Sequence, residues 1–255
     1  MKVVKPVVLT SLMLASLMLT VFVTTASAIV IKKESVTGGV LQNSWLPGFG
    51  VQNNATAVTL APADPAYANP SGDHTVISTT NSVPDSGGIV LSCTDPLGQA
   101  DYVWEADMFT GAGNTRRGLV VRADASFGFK NCYQFVIQSG LFQLNFRKLL
   151  NQTPTTLATW FTNTLPGGIP QPNTWHHMKV VAAANGFDCY FDGVKLNANP
   201  IIDATNPILT GWVGLYNFRF DLGGVPVLWD EATLSTDSVV GAKSTTWGRL
   251  KTLYR

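Results

Sequence analysis

Glu105 and Asp107, separated by Ala106 in the run DYVWEADMFT, are the pair of carboxylates in this 255-residue chain whose spacing could serve glycosidic bond cleavage. On a strand, residues two apart share a face at about 6.6 Å. That is close to the roughly 5–5.5 Å that separates nucleophile and acid in a retaining glycoside hydrolase. The same two residues fit a solvated strand face, or ion pairs with Arg116 or Arg117. His176 and His177 are adjacent, so a strand would point them to opposite faces and deny them a shared metal. No G-x-S-x-G, H-E-x-x-H or phosphate-binding loop occurs. Asp95, Asp101, Asp221 and Asp230 are available to calcium in loops, but no ordered D-x-D spacing singles them out, so Ca2+ stays open and no metal ligand is assigned. Cys93, Cys132 and Cys189 allow at most one intramolecular disulfide and form no CxxC pair.

A different chemistry is written in the stretch NCYQFVIQSGLFQLNFRKL, where two alternating runs flank Ser139-Gly140 as the arms of a β-hairpin. Tyr133, Phe135, Ile137, Phe142, Leu144 and Phe146 fall on a dry face. Gln134, Gln138, Gln143, Asn145 and Arg147 fall on a wet one, with only Val136 out of place. Carrying the alternation into neighbouring strands adds Arg122, Lys179 and Tyr190 to the wet side. Amides and guanidiniums meet sugar hydroxyls with paired donors and acceptors, and a tyrosine ring can lie against a pyranose. The residues expected to bind ligand are therefore Arg122, Gln134, Gln143, Asn145, Arg147 and Tyr190, and the expected partner is a polysaccharide or glycan. A plain solvated face is the competing account.

Such a hairpin cannot bury its aromatic face alone, which calls for further antiparallel strands and a second sheet. The rest of the chain supplies them. Charged residues make up only 13% and turn formers are frequent, the composition of short strands joined by turns. GLVVRA, TTLATWF, WHHMKVVAA, FDCYFDGVKL, GWVGLYNF and VLWDEATL read as strands, with a hairpin turn at Asn185-Gly186. Three prolines between residues 61 and 73 mark a surface loop. About a dozen strands and no internal repeat predict an all-β, two-sheet antiparallel sandwich over residues 29–234.

Residues 1–28 carry Lys2 and Lys5, an apolar run and Ala26-Ser27-Ala28, the pattern of a cleaved secretory signal peptide. Export to a secreted, extracellular or cell-surface location follows as an expectation, with no transmembrane span after cleavage. Removing Lys2 and Lys5 from the 17 Lys and Arg leaves 15 against 16 acids, so no basic field for nucleic acid exists. Residues 235–255 form a tail in which Trp247, Leu250 and Leu253 or Tyr254 recur at helical spacing beside Lys243, Arg249, Lys251 and Arg255. The tail resembles the W-G-x-L/I-K-x-L endings of some exported bacterial proteins, which implies a sorting or attachment role.

The order GLVVRAD, YQFVIQSGLFQLNFRK, TWHHMKVVAAANGFDCYFDGVKL, GWVGLYNF, VLWDEATL resembles the concanavalin A-like jelly roll, in the branch shared by laminin-G-like domains and family 16 glycoside hydrolases. The resemblance implies two packed antiparallel sheets and use of one face for carbohydrate. Family 16 enzymes place their carboxylates as E-x-D-x-x-E or E-x-D-x-E, and here Phe109 and Thr110 stand where the second glutamate would be. Without that acid the leaving oxygen lacks a proton donor. A non-catalytic carbohydrate-binding module is the expectation. A structural or adhesive surface protein and an atypical glycoside hydrolase are the alternatives.

Overall fold

The computed structural model describes residues 29–34, 36, 38–48, 54–80, 86–92, 101–109, 111, 115–138, 143–165, 167–219 and 227–236. The expected signal segment, the tail beyond residue 236, Cys93, Asp95, Thr110, Ser139, Gly140, Phe142 and Asp221 lie outside them. In chain order the strands are β1 (Val30–Lys33), β2 (Trp45–Pro47), β3 (Asn54–Thr59), β4 (Thr75–Thr80), β5 (Ser86–Ser92), β6 (Tyr102–Phe109), β7 (Thr115–Ala123), β8 (Cys132–Gln138), β9 (Gln143–Leu150), β10 (Thr153–Phe161), β11 (Trp175–Ala183), β12 (Gly186–Phe191), β13 (Val194–Lys195), β14 (Ile201–Ile202), β15 (Trp212–Arg219) and β16 (Val227–Ser235). Among the described residues no helix is long and apolar enough to cross a membrane.

The strands form two antiparallel sheets. One runs β13-β12-β11-β6-β16-β4-β3, with β1 added to β16 and β14 to β12; the other runs β10-β9-β8-β7-β15-β5-β2. This is the jelly-roll sandwich that the alternation demands, since each sheet covers the other's dry face. Tyr133, Phe135, Ile137, Leu144 and Phe146 of the second sheet meet Met178, Val180, Ala182, Phe187, Cys189 and Phe191 of the first in one core. The Phe187 ring lies 4.5 Å from that of Tyr133 and 4.8 Å from that of Phe146.

One end of this core is polar and fully paired. Asp203 Oδ2 accepts from the Tyr133 hydroxyl at 2.6 Å and pairs with Lys148 Nζ at 2.7 Å, while Asp203 Oδ1 accepts from the Thr205 N–H. Lys148 Nζ also donates to the carbonyls of Thr205 and Asn206. The pair therefore pins the loop after β14 across the end of the sandwich. Burial alone would push the Asp203 carboxyl up, but the hydrogen bonds from Lys148, Tyr133 and Thr205 outweigh it and hold it below its usual value.

Two features depart from the pattern read in the sequence. Ala183 pairs with Gly186, so the β11–β12 turn has Ala184-Asn185 at its tip and Gly186 opens the strand, one residue earlier than an Asn185-Gly186 turn would place it. Ala184 takes φ +46°, and its N–H is held by Asp101 Oδ1 at 2.8 Å. In β7, Ala123 faces Trp212 and Val120 faces Gly214, so Val121 and Arg122 stand opposite Val213 alone. This is a β-bulge. Gly211 makes the tight approach next to it: a Cβ there would sit 2.6 Å from the Arg122 carbonyl carbon.

The described chain closes on itself. β1 pairs with β16 from Val30↔Ser235 to Lys33↔Thr233. Thr236 N donates to the Ile29 carbonyl at 2.9 Å, and Ile29 N donates to Thr236 Oγ1 at 3.1 Å.

Candidate functional site on the outer face of the second sheet

Opposed residues of neighbouring strands share a face, so the register defines the outer surface of the second sheet row by row. Phe161, Gln143, Gln138, Arg116 and Phe218 form one row across β10, β9, β8, β7 and β15. Four strand spacings make it about 19 Å long. The next row is Thr159, Asn145, Val136, Gly118 and Tyr216, and the one after it contains Arg147, Gln134 and Val120. Gln134, Gln138, Gln143, Asn145 and Arg147 thus stand together on one face, as their alternation requires.

Two of the expected ligand residues do not join them. Arg122 is turned inward by the bulge, with φ +54° and no exposure. Its guanidinium lies 4.6 Å from the Phe187 ring, and Nη1 donates to the Ile208 carbonyl. Tyr190 does point outward, but from the first sheet, where it is paired with Lys179 and the ammonium lies 5.5 Å from its ring. β11 and β12 attach to β6 rather than to the central hairpin, which removes Lys179 and Tyr190 from the proposed face.

The face is also drier than alternation alone indicates. Val120, Cys132, Val136, Leu149 and Tyr216 make a small apolar cluster of their own on it, so Val136 is in place rather than misplaced. Gln134 is fully buried, and Asn145 and Arg147 are each only 8% exposed. Their polar atoms are correspondingly organised. Arg147 Nε and Nη2 both donate to Gln134 Oε1, at 2.8 and 2.5 Å, and the guanidinium lies 5.4 Å from the Tyr216 ring. Asn145 Oδ1 accepts from Thr159 Oγ1 at 2.9 Å. Gln134 Nε2 is buried with no hydrogen-bond partner. Arg116, Gln138 and Gln143 remain half-buried, and Phe161 at the end of their row is 58% exposed. Arg116 lies 5.5 Å from the Phe218 ring. Burial pushes the Arg147 guanidinium below its usual value, Tyr216 opposes this, and the nearby Arg116 charge adds to it. Burial pushes the Cys132 thiol up to about 12, so it stays protonated. Sequence reasoning missed Arg116, Phe161, Phe218 and Tyr216 as members of this face. The alternation in GLYNF would have offered Tyr216 and Phe218, but nothing in the sequence showed that β15 lies beside β7.

Glu105 and Asp107 occupy the outer face of the first sheet, and their partners are not Arg116 or Arg117. Arg117 is turned inward, where Nη1 donates to the Phe109 carbonyl. His177 bridges the two carboxylates instead, with Nδ1 2.9 Å from Asp107 Oδ1 and Nε2 3.4 Å from Glu105 Oε2; Lys179 Nζ lies 3.7 Å from Glu105. The bond to Asp107, then that to Glu105, raises the His177 imidazolium to about 9 against the effect of burial. The His177 hydrogen bond in turn holds the Glu105 carboxyl below its usual value, the opposite of what a general acid needs. His177 has a folded pKa above its unfolded value of about 6.5. Its contribution to stability is therefore complete below pH 6.5 and is lost as pH rises through 9. With the side chain 35% exposed, solvent screening reduces that contribution to about 1 kcal/mol. Denaturant titrations at intervals from pH 6 to pH 10 should show this decline, and His177→Gln should flatten it.

Two clefts lie away from the row that runs from Phe161 to Phe218. One, about 240 Å³, is lined by His176, Phe191, Asp192 and residues of the loop 165–174. In it His176 Nδ1 is 2.7 Å from Asp192 Oδ2 and Nε2 is 2.8 Å from Thr174 Oγ1. That order resembles a hydroxyl–histidine–carboxylate relay, but Thr174 Oγ1 donates to the Gln171 carbonyl at 2.5 Å, which turns its proton away from the imidazole. The other cleft, about 390 Å³, lies beside Asp124, Ser126 and Trp212. Of the carboxylates open to calcium, Asp101 caps the Ala184 N–H, and Asp230 accepts from Asn69 Nδ2, Ser71 N and Glu231 N. Among the described residues no group of three or more His, Cys, Asp or Glu side chains could hold a metal. Cys132 and Cys189 are both free and buried.

No protein-family model matches the chain, and no curated protein matches it. Among solved structures it is similar to the carbohydrate binding module CBM66 from Bacillus subtilis, at 18% identity and a TM-score of 0.53, over 76% of this chain and 96% of that one. It is also similar to a Bacillus subtilis protein of unknown function with a galectin-like fold, at 11% identity and a TM-score of 0.53, over 82% of this chain and 99% of the other. At these identities the likeness is one of fold, and the fold it identifies is the two-sheet antiparallel β-sandwich.

Proposed function

We propose that the protein is a secreted carbohydrate-binding β-sandwich that takes its glycan on the outer face of the second sheet. The observation that carries this reading is the row Phe161, Gln143, Gln138, Arg116 and Phe218, in which two amides and a guanidinium lie between two aromatic rings. Amides present a donor and an acceptor side by side to vicinal hydroxyls, and aromatic rings accept the apolar face of a sugar. Beneath the row, Arg147 and Asn145 are held by Gln134 and Thr159, so their orientation is fixed before ligand arrives. The similarity to a structure named as a carbohydrate binding module supports the reading at the level of fold. Placement in the laminin-G-like and family 16 branch, cleavage after residue 28, export, and attachment through residues 235–255 belong to the same proposal. The lowered Glu105 carboxyl favours binding over hydrolysis.

A glycan array with and without calcium identifies a ligand, and Gln138→Ala with Gln143→Ala then tests the face. Both side chains are half-buried, and truncating them should change stability by less than about 0.5 kcal/mol. Losing two ligand hydrogen bonds should weaken binding by about 1–3 kcal/mol. Asn145 is unsuited to this test, because its truncation would strand Thr159 Oγ1. Wild-type affinity in the double variant, for a glycan that the wild type binds, moves the site off this face.

A further inference from the structure

We infer that the cleft between residues 123–126 and 208–212 is a second sugar subsite, taking one or two neutral rings with Trp212 as platform and Asp124 as hydroxyl acceptor; its ligand class, though not its location, rests on the glycan-binding role proposed above. The cleft measures about 390 Å³. That falls within the roughly 300–1,000 Å³ of small-ligand pockets. It is formed by the segment that leaves β7 and the loop that enters β15, neighbouring strands of the second sheet. Trp212 stands opposite Ala123 and packs on the same outer apolar cluster as Phe218. Six residues of strand separate the two rings, about 20 Å. The cleft therefore stands at the other end of the face from the row that ends in Phe218. A single sugar ring cannot touch both, whereas one polymer chain can.

Both principal side chains are held in place by the chain itself. The half-buried Trp212 ring is packed by the Phe129 ring at 5.5 Å, edge to face. An indole fixed in this way offers a flat apolar surface without losing rotamer freedom when a sugar arrives. Asp124 donates its N–H to the Asn131 carbonyl and accepts from the Phe129 N–H through its own carbonyl. Its Oδ1 accepts from the Ser126 N–H at 2.9 Å and from Ser126 Oγ at 2.6 Å. One oxygen thus orients the carboxylate, and Oδ2, which accepts from no described residue, is left for donors from outside. Hydroxyl protons given to a carboxylate oxygen make short, charge-assisted hydrogen bonds. The exposed Ser126 and Thr210 add hydroxyls at the rim, and Leu209, 49% exposed, adds an apolar flank. No Lys or Arg lines the cleft. An acidic sugar would meet Asp124 with no countercharge, so the geometry selects a neutral one.

Ligand-observed NMR on the full chain tests this with the methyl glycosides of glucose, galactose, mannose and xylose, with cellobiose, maltose and lactose, and with methyl glucuronide as the acidic control. At least one neutral sugar is expected to show saturation transfer, and the glucuronide none. Asp124→Asn keeps an oxygen for Ser126, and Trp212→Leu keeps an apolar contact for Phe129. Each should weaken that binding about tenfold or more, while Gln138→Ala with Gln143→Ala leaves it unchanged. Melting curves accompany both cleft variants, and Asp124→Asn, at a half-buried position, is the arm in which folding is not at issue. Small-sugar binding that survives both cleft substitutions, or that is lost only in the Gln138 and Gln143 variant, would overturn the inference and leave the glycan-binding face standing. Glucuronide bound as tightly as the neutral sugars would overturn the role given to Asp124. Binding of none of these small sugars would overturn the subsite, while polymer binding through Gln138 and Gln143 stands or falls on its own test.

Discussion

Asp203→Ala is expected to lower the unfolding free energy by about 3–5 kcal/mol, the effect of leaving a buried charge without its partner. Lys148 and Asp203 are 7% and 5% exposed, so neither can turn to water without opening the end of the sandwich. The substitution also removes the acceptor for the Tyr133 hydroxyl and the Thr205 N–H. Urea titration measures the loss. Adding Lys148→Met to Asp203→Asn should restore much of it, because the pair is then replaced by neutral groups of similar size. The Asp203 carboxyl is held below its usual value, so its contribution is present above the unfolded pKa near 3.9 and is lost as pH falls through the folded value. Wild type should therefore lose stability in acid below about pH 4 by a component that Asp203→Asn lacks. A loss smaller than about 1 kcal/mol for Asp203→Ala would mean that the loop after β14 lifts and hydrates the ammonium.

Phe187→Ala is expected to cost a similar amount, about 3–5 kcal/mol, from lost burial and the cavity left behind. The ring is the point at which the first sheet enters the second, between Tyr133 and Phe146 and under the Arg122 guanidinium. Calorimetric unfolding measures it directly. Since Tyr133 contacts both Phe187 and Asp203, the two substitutions share a neighbour, and their combined effect should depart from additivity by about 0.5–3 kcal/mol. A loss below about 1.5 kcal/mol for Phe187→Ala would show that the sheets collapse onto the vacated volume.

What could be read from the sequence was the direction of each side chain along its own strand. Tyr133, Phe135, Leu144 and Phe146 face the core, and Gln143, Asn145 and Arg147 face away, because period-two alternation is a property of the local backbone. What could not be read was which strands are neighbours. Lys179 and Tyr190 alternate as cleanly as Gln143 and Asn145 do, yet they decorate the opposite surface of the molecule, since sheet membership is settled by long-range pairing with β6. Arg122 was misread for another reason. A bulge changes the face of a side chain without any glycine to announce it, and here an arginine takes the left-handed backbone conformation. The shift of the β11–β12 turn onto Ala184 has the same character: Asn185-Gly186 favours the tip locally, but the strand register and the Asp101 cap place it one residue earlier. The part of the candidate site that was legible is the hairpin's own; the contribution of β7, β10 and β15 to the face is tertiary.

The pairing of β1 with β16 makes the domain a topological ring. Ile29 and Thr236 are hydrogen-bonded to each other, so the polypeptide enters and leaves through one doorway at the rim of the first sheet. Whatever is joined before residue 29 and whatever follows residue 236 are consequently tethered to neighbouring points, and a pull on either is borne by the same pair of strands. Opposing forces on the two ends would unzip β1 from β16 one bond at a time. A force on the carboxyl-terminal side alone, resisted at the far sheet, would instead load the sandwich through its core. A covalent bridge of a few residues between the two points would close the backbone into a circle, and a new opening could then be cut in any exposed loop without disturbing either sheet.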